Sequence, residues 1–225
     1  KIKILSSIAF NKTISKNKIL TEGIQNLNQK DIYHAKNLGY KIKLLAIAEI
    51  KNNKLMERVH PCLILKNSYI ANINGVLNAI VVDGYPIGRS VLQGEGAGPG
   101  PTSSALISDL CSILRGNIKY PFGVSCFLRK KIRKFNILNR ACSSYLRIEV
   151  KDQPGVLSSI TKIFAKSKIS IKNLIQVPNK KKKKATVVII THEALEKNFN
   201  NLLSNLYKNK FVLKKPIFIR IEKFK

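Results

Sequence analysis

The sequence predicts an α+β fold in two parts. The first is a mixed or antiparallel sheet with helices on one face, and the second is a smaller domain of order β-α-β-β-α-β. Three observations predict it. Four strand-like runs lie between Tyr40 and Gln93. The hydrophobic pattern then changes at Ser144, where short alternating runs and helical spacings begin to follow one another. Hydrophobic residues make up 44% of 225, which implies a packed core.

Residues 1–10 read as the end of an amphipathic helix through Ile2, Ile4, Leu5, Ile8 and Ala9. Asn28 or Asp31 opens a short helix stopped by Gly39. Residues 40–49 alternate and then turn wholly apolar, so the second half of this strand is expected to be buried on both faces. Residues 56–65 form a second strand, expected to break at Pro61, and residues 78–85 and 88–93 form two more, joined near Pro86. Residues 120–140 are basic and irregular and read as a connector. Beyond it, residues 145–150 are a strand and 152–155 have turn chemistry. Val156, Leu157, Ile160, Ile163 and Phe164 have helical spacing, and Ile169 leads into a strand. Residues 185–190 are a β-branched strand, 195–207 a helix and 217–221 the last strand. This is a ferredoxin-like layout of about 80 residues. The expected divisions are 1–120, a connector over 121–143, and 144–225.

Between Gln93 and Ala105 the chain carries four glycines and two prolines and forms no regular element. Glycine allows a ligand to approach the backbone closely. Thr102, Ser103 or Ser104 can cap a helix through Ala105, Leu106, Leu110 and Leu114. A glycine loop entering a helix presents free N–H groups to a phosphate, a carboxylate or the carboxamide of a nicotinamide. A plain surface turn is the other reading of the same residues.

The chain holds 41 Lys+Arg against 12 Asp+Glu, a net charge of +29. The excess is spread over every segment and is mostly lysine, accompanied by abundant Ile and Asn. That favours compositional drift over a nucleic-acid surface, which concentrates charge and interleaves arginine or aromatics. The run from Lys180 to Lys184 reads as a solvated hairpin loop. No run of about 18 apolar residues predicts a membrane span. Cys62, Cys111, Cys126 and Cys142 lack C-x-x-C spacing and read as reduced, mostly buried thiols of a cytoplasmic protein. His34, His60 and His192 have no metal-ligand spacing, so no metal is expected. The chain opens on Lys1 inside an apolar-periodic segment, like the C-terminal part of something longer.

Several segments in order resemble the homoserine dehydrogenases: Thr21-Glu22-Gly23-Ile24, then residues 35–46, Arg58-Val59-His60-Pro61, residues 74–80 and the loop from Gly94 to Thr102. Residues 145–175, with Asp152-Gln153-Pro154-Gly155-Val156-Leu157, resemble an ACT domain, which often follows the catalytic region in bacterial members of that family. The resemblance implies interconversion of aspartate semialdehyde and homoserine with NAD or NADP. It implies that Lys1 is the proton donor, with Lys3 the alternative if the register slips by two. Gly98 falls on the family's dinucleotide-contacting glycine, Gly96 second, with Ala97 between them. The sequence has no G-x-G-x-x-G near its start, so most of the cofactor pocket is expected to be absent and the chain alone inactive.

For the second domain the resemblance implies threonine as effector. The backbone N–H groups of Gly155 and Val156 would hold its carboxylate, and Asp152 and Asn173 its ammonium. Asp152 as a helix cap, or a domain that only pairs, are the alternatives. His60, at a strand end before proline, reads as a packed core group. A homodimer or homotetramer is expected. A stand-alone amino-acid sensor with a catalytic remnant, and a basic nucleic-acid-binding protein, are the competing readings.

Overall fold

The structure is a computed structural model that describes residues 1–16, 18–117, 123–179 and 183–224. Its elements in chain order begin with α1 (Ile2–Phe10), β1 (Leu20–Thr21), α2 (Gln29–Asn37), β2 (Tyr40–Lys51) and β3 (Lys54–Leu65). A hairpin of β4 (Leu77–Gly84) and β5 (Gly88–Glu95) leads into α3 (Pro99–Leu114), and β6 (Arg133–Lys134) follows. The second part comprises β7 (Ala141–Lys151), α4 (Val156–Lys166), β8 (Ile171–Asn179), β9 (Lys184–Thr191), β10 (Ala194–Leu195), α5 (Glu196–Tyr207) and β11 (Ile217–Ile221).

The second part has strand order β11-β7-β9-β8, as its β-α-β-β-α-β order requires. Alternation along the strands separates two cores. Leu146, Ile148, Val150, Val187 and Ile189 pack under α4 and α5 against Ile160, Phe164, Phe199 and Leu202. Tyr145, Val188, Ile190, Ile219 and Ile221 face the other way and share a core with Ala35 and Leu63 of the first part. The two parts also share a sheet, because β11 runs parallel to β3 with Arg220 opposite Cys62 and Ile221 opposite Leu63. The mixed sheet therefore runs unbroken from β1 through β3, β11, β7 and β9 to β8.

Several expectations are corrected in detail. β3 does not break at Pro61 but pairs with β2 over all twelve residues, Leu44 lying opposite Pro61. The carbonyls of Val59 and Leu63 accept from the N–H groups of Glu22 and Glu222, so odd-numbered backbone groups of β3 face β1 and β11. Pro61, which has no N–H to donate, falls in the gap between those two short strands. The second half of β2 is not buried on both faces; Ala46 is exposed and Ile50 is 41% exposed. Among the described residues β2 pairs only with β3, so it is a sheet edge rather than a central strand.

α1 turns its face the other way: Ser6 and Ser7 are buried while Ile4, Leu5 and Ile8 are exposed. The reason is polar, since Ser6 donates to Glu57 of β3 and Ser7 to the Lys12 carbonyl. The connector is not free chain over its described part, because β6 pairs with β3 and the Phe135 N–H donates to the Leu55 carbonyl at 2.8 Å. The remainder of that connector, residues 121 and 122, and residues 180–182 of the lysine run lie outside the described residues.

Candidate active site

Lys1 stands at the head of α1. Its carbonyl accepts from the N–H groups of Ile4 and Leu5, and its side chain is exposed and caps nothing. The helix is pinned by Ser6 to Glu57, so β3 fixes where Lys1 is presented. Lys3 lies within the first turn, and its carbonyl accepts from Ser6 Oγ at 3.2 Å.

The glycine loop follows the β4–β5 hairpin, a two-stranded sheet apart from the main one. Lys41 and Lys43 of β2 reach under the segment before the hairpin; Lys41 bonds the Ala71 carbonyl and Asn72, and Lys43 the Ile73 carbonyl and Asn74. Tyr69 ties the hairpin down through Gln93 at 3.0 Å. Gly96 lies where a Cβ would collide with the Asn78 amide. Gly98 has φ +118°, a conformation that favours glycine, and is itself the N-cap of α3. The helix thus begins earlier than the serines suggested: Pro99 is its first residue, and Ser103 bonds back to the Pro99 carbonyl.

This start bears on what the loop can hold. Pro99 and Pro101 carry no N–H, and the Thr102 N–H is bonded to the Gly98 carbonyl at 3.2 Å. The first turn thus offers an anion fewer N–H groups than a helix start without prolines. Gly96, Ala97 and Gly98 are exposed, and no atom lies within 4 Å of where a Cβ on Gly100 would stand. A flat ring can lie against such a backbone, so the residues fit the nicotinamide end of a dinucleotide. Gly98→Ala and Gly98→Val share the penalty of a positive φ, so their difference reads the bulk at this edge. The valine variant is expected to raise the cofactor KM well above the alanine variant; equal KM values with equally lowered stability would reduce the loop to a turn.

The largest cluster of buried ion pairs among the described residues lies elsewhere, where β3 meets β11. Arg220 donates to Glu196 at 2.6 and 3.1 Å and to Glu22 at 2.7 Å. Arg140 bonds Glu222 at 2.6 Å and Glu196 at 3.2 Å, and Arg58 bonds Glu49 at 2.7 Å and Glu222 at 3.3 Å. His60 is fully buried within it. Burial first, and then the Arg220 charge, push its pKa down to about 3, so it is neutral at 3.6 Å from Glu222. Burial likewise pushes the Cys142 thiol up to about 12 and Cys62 higher still, so neither is a ready nucleophile. His60, Cys62 and Glu222 bring a nitrogen, a sulfur and a carboxylate oxygen within 4.8 Å of one another. Two arginines already neutralise Glu222, so the positive charge that a metal would bring is supplied by the protein. A second buried cluster ties α2 to β7, with Arg147 on Asp31 at 2.6 and 3.0 Å and Tyr145 on Asp31 at 3.2 Å.

In the second part Gly155, at φ +84°, caps α4 with no side-chain bond. Asp152 is therefore not the cap; it is exposed and accepts from Gln176 at 3.3 Å. The Val156 N–H is engaged by the Gln153 carbonyl at 3.5 Å, and Val156 itself is buried. Asn173 is exposed beside an irregularity in the β8–β9 register. The four expected effector residues thus lie on the β7–α4 turn and on β8, which the Asp152–Gln176 bond links.

Residues 1–111 match the family described as homoserine dehydrogenase, and residues 144–210 match the ACT domain. Homoserine dehydrogenase of Helicobacter pylori is 35% identical over 99% of this chain and 52% of its own length. That of Pseudomonas aeruginosa is 34% identical over 99% of this chain and 53% of its own. The resemblance to the homoserine dehydrogenases is borne out over residues 1–111. The crystal structure of homoserine dehydrogenase from Thiobacillus denitrificans superposes with a TM-score of 0.86 at 34% identity, covering 99% of this chain and 52% of that one. The Staphylococcus aureus enzyme gives 0.62 at 25% identity, over 100% and 52%. The chain spans about half the length of the relatives it matches. No helix among the described residues is long and apolar enough to cross a membrane.

Sequence reasoning missed the arginine–glutamate network entirely. Its one visible signal was Arg220 inside the apolar run Ile217-Phe218-Ile219-Arg220-Ile221, where a buried charge needs a partner.

Proposed function

We propose that this chain supplies the substrate-binding and proton-transfer part of an NAD(P)-dependent homoserine dehydrogenase, with an ACT domain that senses an amino acid. The observation that supports it most is Lys1, exposed at the head of a helix pinned to β3, in a segment that matches the family from its first residue. A nicotinamide cofactor held at this loop would supply the hydride that the aldehyde carbon of aspartate semialdehyde accepts. Charge then develops on the carbonyl oxygen. The Lys1 ammonium lies against that oxygen, stabilises it and gives it a proton, producing the homoserine hydroxyl. In the reverse direction the neutral amine of Lys1 takes that proton. Gly98, with Gly96 and Ala97 beside it, lets the nicotinamide edge lie against the backbone. Homoserine-dependent reduction of NADP by the complete protein that carries this chain is the test. Its absence, together with DNA binding that weakens steeply with salt, would favour the basic nucleic-acid reading.

The same reading covers assembly and regulation. Leu106, Ile107, Leu110, Ile113 and Leu114 of α3 are all more than half exposed, an apolar stripe of the kind that a second copy covers. Cys62 and Cys142, free and buried, fit the cytoplasm. Threonine is the effector that the family resemblance supports, held by Asp152, Gly155 and Asn173, while the Val156 N–H stays with the Gln153 carbonyl. Calorimetry on the complete protein is expected to show threonine binding, weakened by Asp152→Ala with no change in unfolding temperature. No heat with threonine, isoleucine, lysine or methionine would leave the domain a pairing role alone.

A further inference from the structure

We propose that the buried ion network between β11 and β3 is the coupling element through which the ACT domain biases the helix that carries Lys1. The proposal rests on reading residues 144–210 as regulatory and Lys1 as the proton donor.

Arg220 belongs to the last strand of the second part and is shared in two directions. Its Nε and Nη2 hold Glu196 at the head of α5, and its Nη1 holds Glu22 just past β1. Two residues on, the Glu222 backbone N–H bonds the Leu63 carbonyl, and its carboxylate takes Arg58 and Arg140. β11 thus grips β3 by its backbone and by charge, and grips β1 through Glu22. On β3, Glu57 and Arg58 are neighbours, and successive strand residues point to opposite faces. Arg58 faces the network, and Glu57 holds Ser6 of α1. A shift of β3 driven from β11 therefore moves the helix headed by Lys1.

The network has little slack. Arg58, Arg140, Arg220, Glu196 and Glu222 are all buried. A buried partner that moves leaves an unpaired charge in a low dielectric, so displacement of Glu196 with α5 is felt by Arg220. Glu22 is the partially exposed partner, at 37%, and so the one that Arg220 can release. Release of Glu22 would give this guanidinium a second arrangement beside the one in the structure, and the two together would be the two-state element that a coupling mechanism requires.

Glu22 and Glu196 are joined through Arg220, so a double-mutant cycle of Glu22→Gln and Glu196→Gln on the 225-residue chain reads the link. Urea unfolding is expected to be non-additive by about threefold or more in the unfolding constant, and the non-additivity is expected to shrink in an Arg220→Lys background. Amide exchange in residues 6–10 of α1 is expected to quicken in Glu196→Gln, and in Arg220→Lys should Glu196→Gln fail to fold. Additive effects with unchanged α1 exchange overturn the link. In the complete enzyme, a wild-type rate that no amino acid alters overturns the regulatory reading on which the proposal rests. An additive cycle beside an intact amino-acid response overturns the link alone.

Discussion

Lys1→Ala in the complete enzyme is expected to lower kcat by about 10²–10⁴-fold while leaving the cofactor KM near its wild-type value. The loss is chemical rather than structural. The Lys1 side chain caps no backbone group of α1, so alanine leaves the helix and its Ser6–Glu57 anchor in place. Lys1→Arg separates two contributions. Arginine keeps a positive charge beside the oxygen but does not release its proton near neutral pH, so it should retain part of the electrostatic effect and lose the transfer. Steady-state rates in both directions decide the matter. A near-native kcat in Lys1→Ala would move the proton donor to Lys3.

The largest stability effect is expected at Asp31. This carboxylate is fully buried and has two tasks: it closes the capping box of α2 with Asn28, and it accepts both Arg147 bonds and the Tyr145 hydroxyl. Asp31→Ala leaves a buried guanidinium with Glu149 as its remaining partner. Breaking a buried pair in this way costs about 3–5 kcal/mol, and losing a cap alone about 1 kcal/mol. Asp31→Asn keeps an acceptor for the cap but not the charge, and is expected to fall between. Urea unfolding measures both variants against the wild type; a loss under about 1 kcal/mol in Asp31→Ala would mean that α2 and β7 are not held together here.

Acid should destabilise the chain for a related reason. Neutral His60 titrates near 3 in the fold and near 6.5 when unfolded. Between those values the unfolded chain binds a proton that the native one does not, so stability falls as pH drops from 6.5 towards 3. Burial alone would raise the Glu196 carboxyl, but the bonds and charge of Arg220, then the charge of Arg140, outweigh it and hold it below its ordinary 4.5. Its contribution is present above 4.5 and is lost as pH falls through the lower folded value. Stability unchanged between pH 6.5 and 4 would contradict a buried neutral His60.

Local chemistry in this chain was readable. Asn28, Asp31 and Gly39 mark the ends of α2 because a cap and a left-handed glycine act within a few residues. Gly155, the alternation of residues 145–150 and the apolar run 217–221 were legible for the same reason. What escaped depends on partners far away in sequence. Pro61 sits within an unbroken strand only because β1 and β11 leave a gap beside it. Glu57 and the Lys12 carbonyl decide which face of α1 turns inward, overriding the apolar stripe. The join of the two parts rests on residues such as Glu22 and Arg220, 198 positions apart, and no local pattern announces that pairing. In the glycine loop the composition was noticed, but the two prolines also delete donors, so the start of α3 offers fewer free N–H groups than its glycine content suggests.

A crystal structure of the complete protein with homoserine and NADP bound tests the central claim most directly. The Lys1 ammonium is predicted to lie within about 2.6–3.2 Å of the homoserine hydroxyl oxygen, with the nicotinamide edge against the backbone of Gly98. Homoserine bound with its hydroxyl out of reach of Lys1, and Gly98 facing solvent, would contradict it.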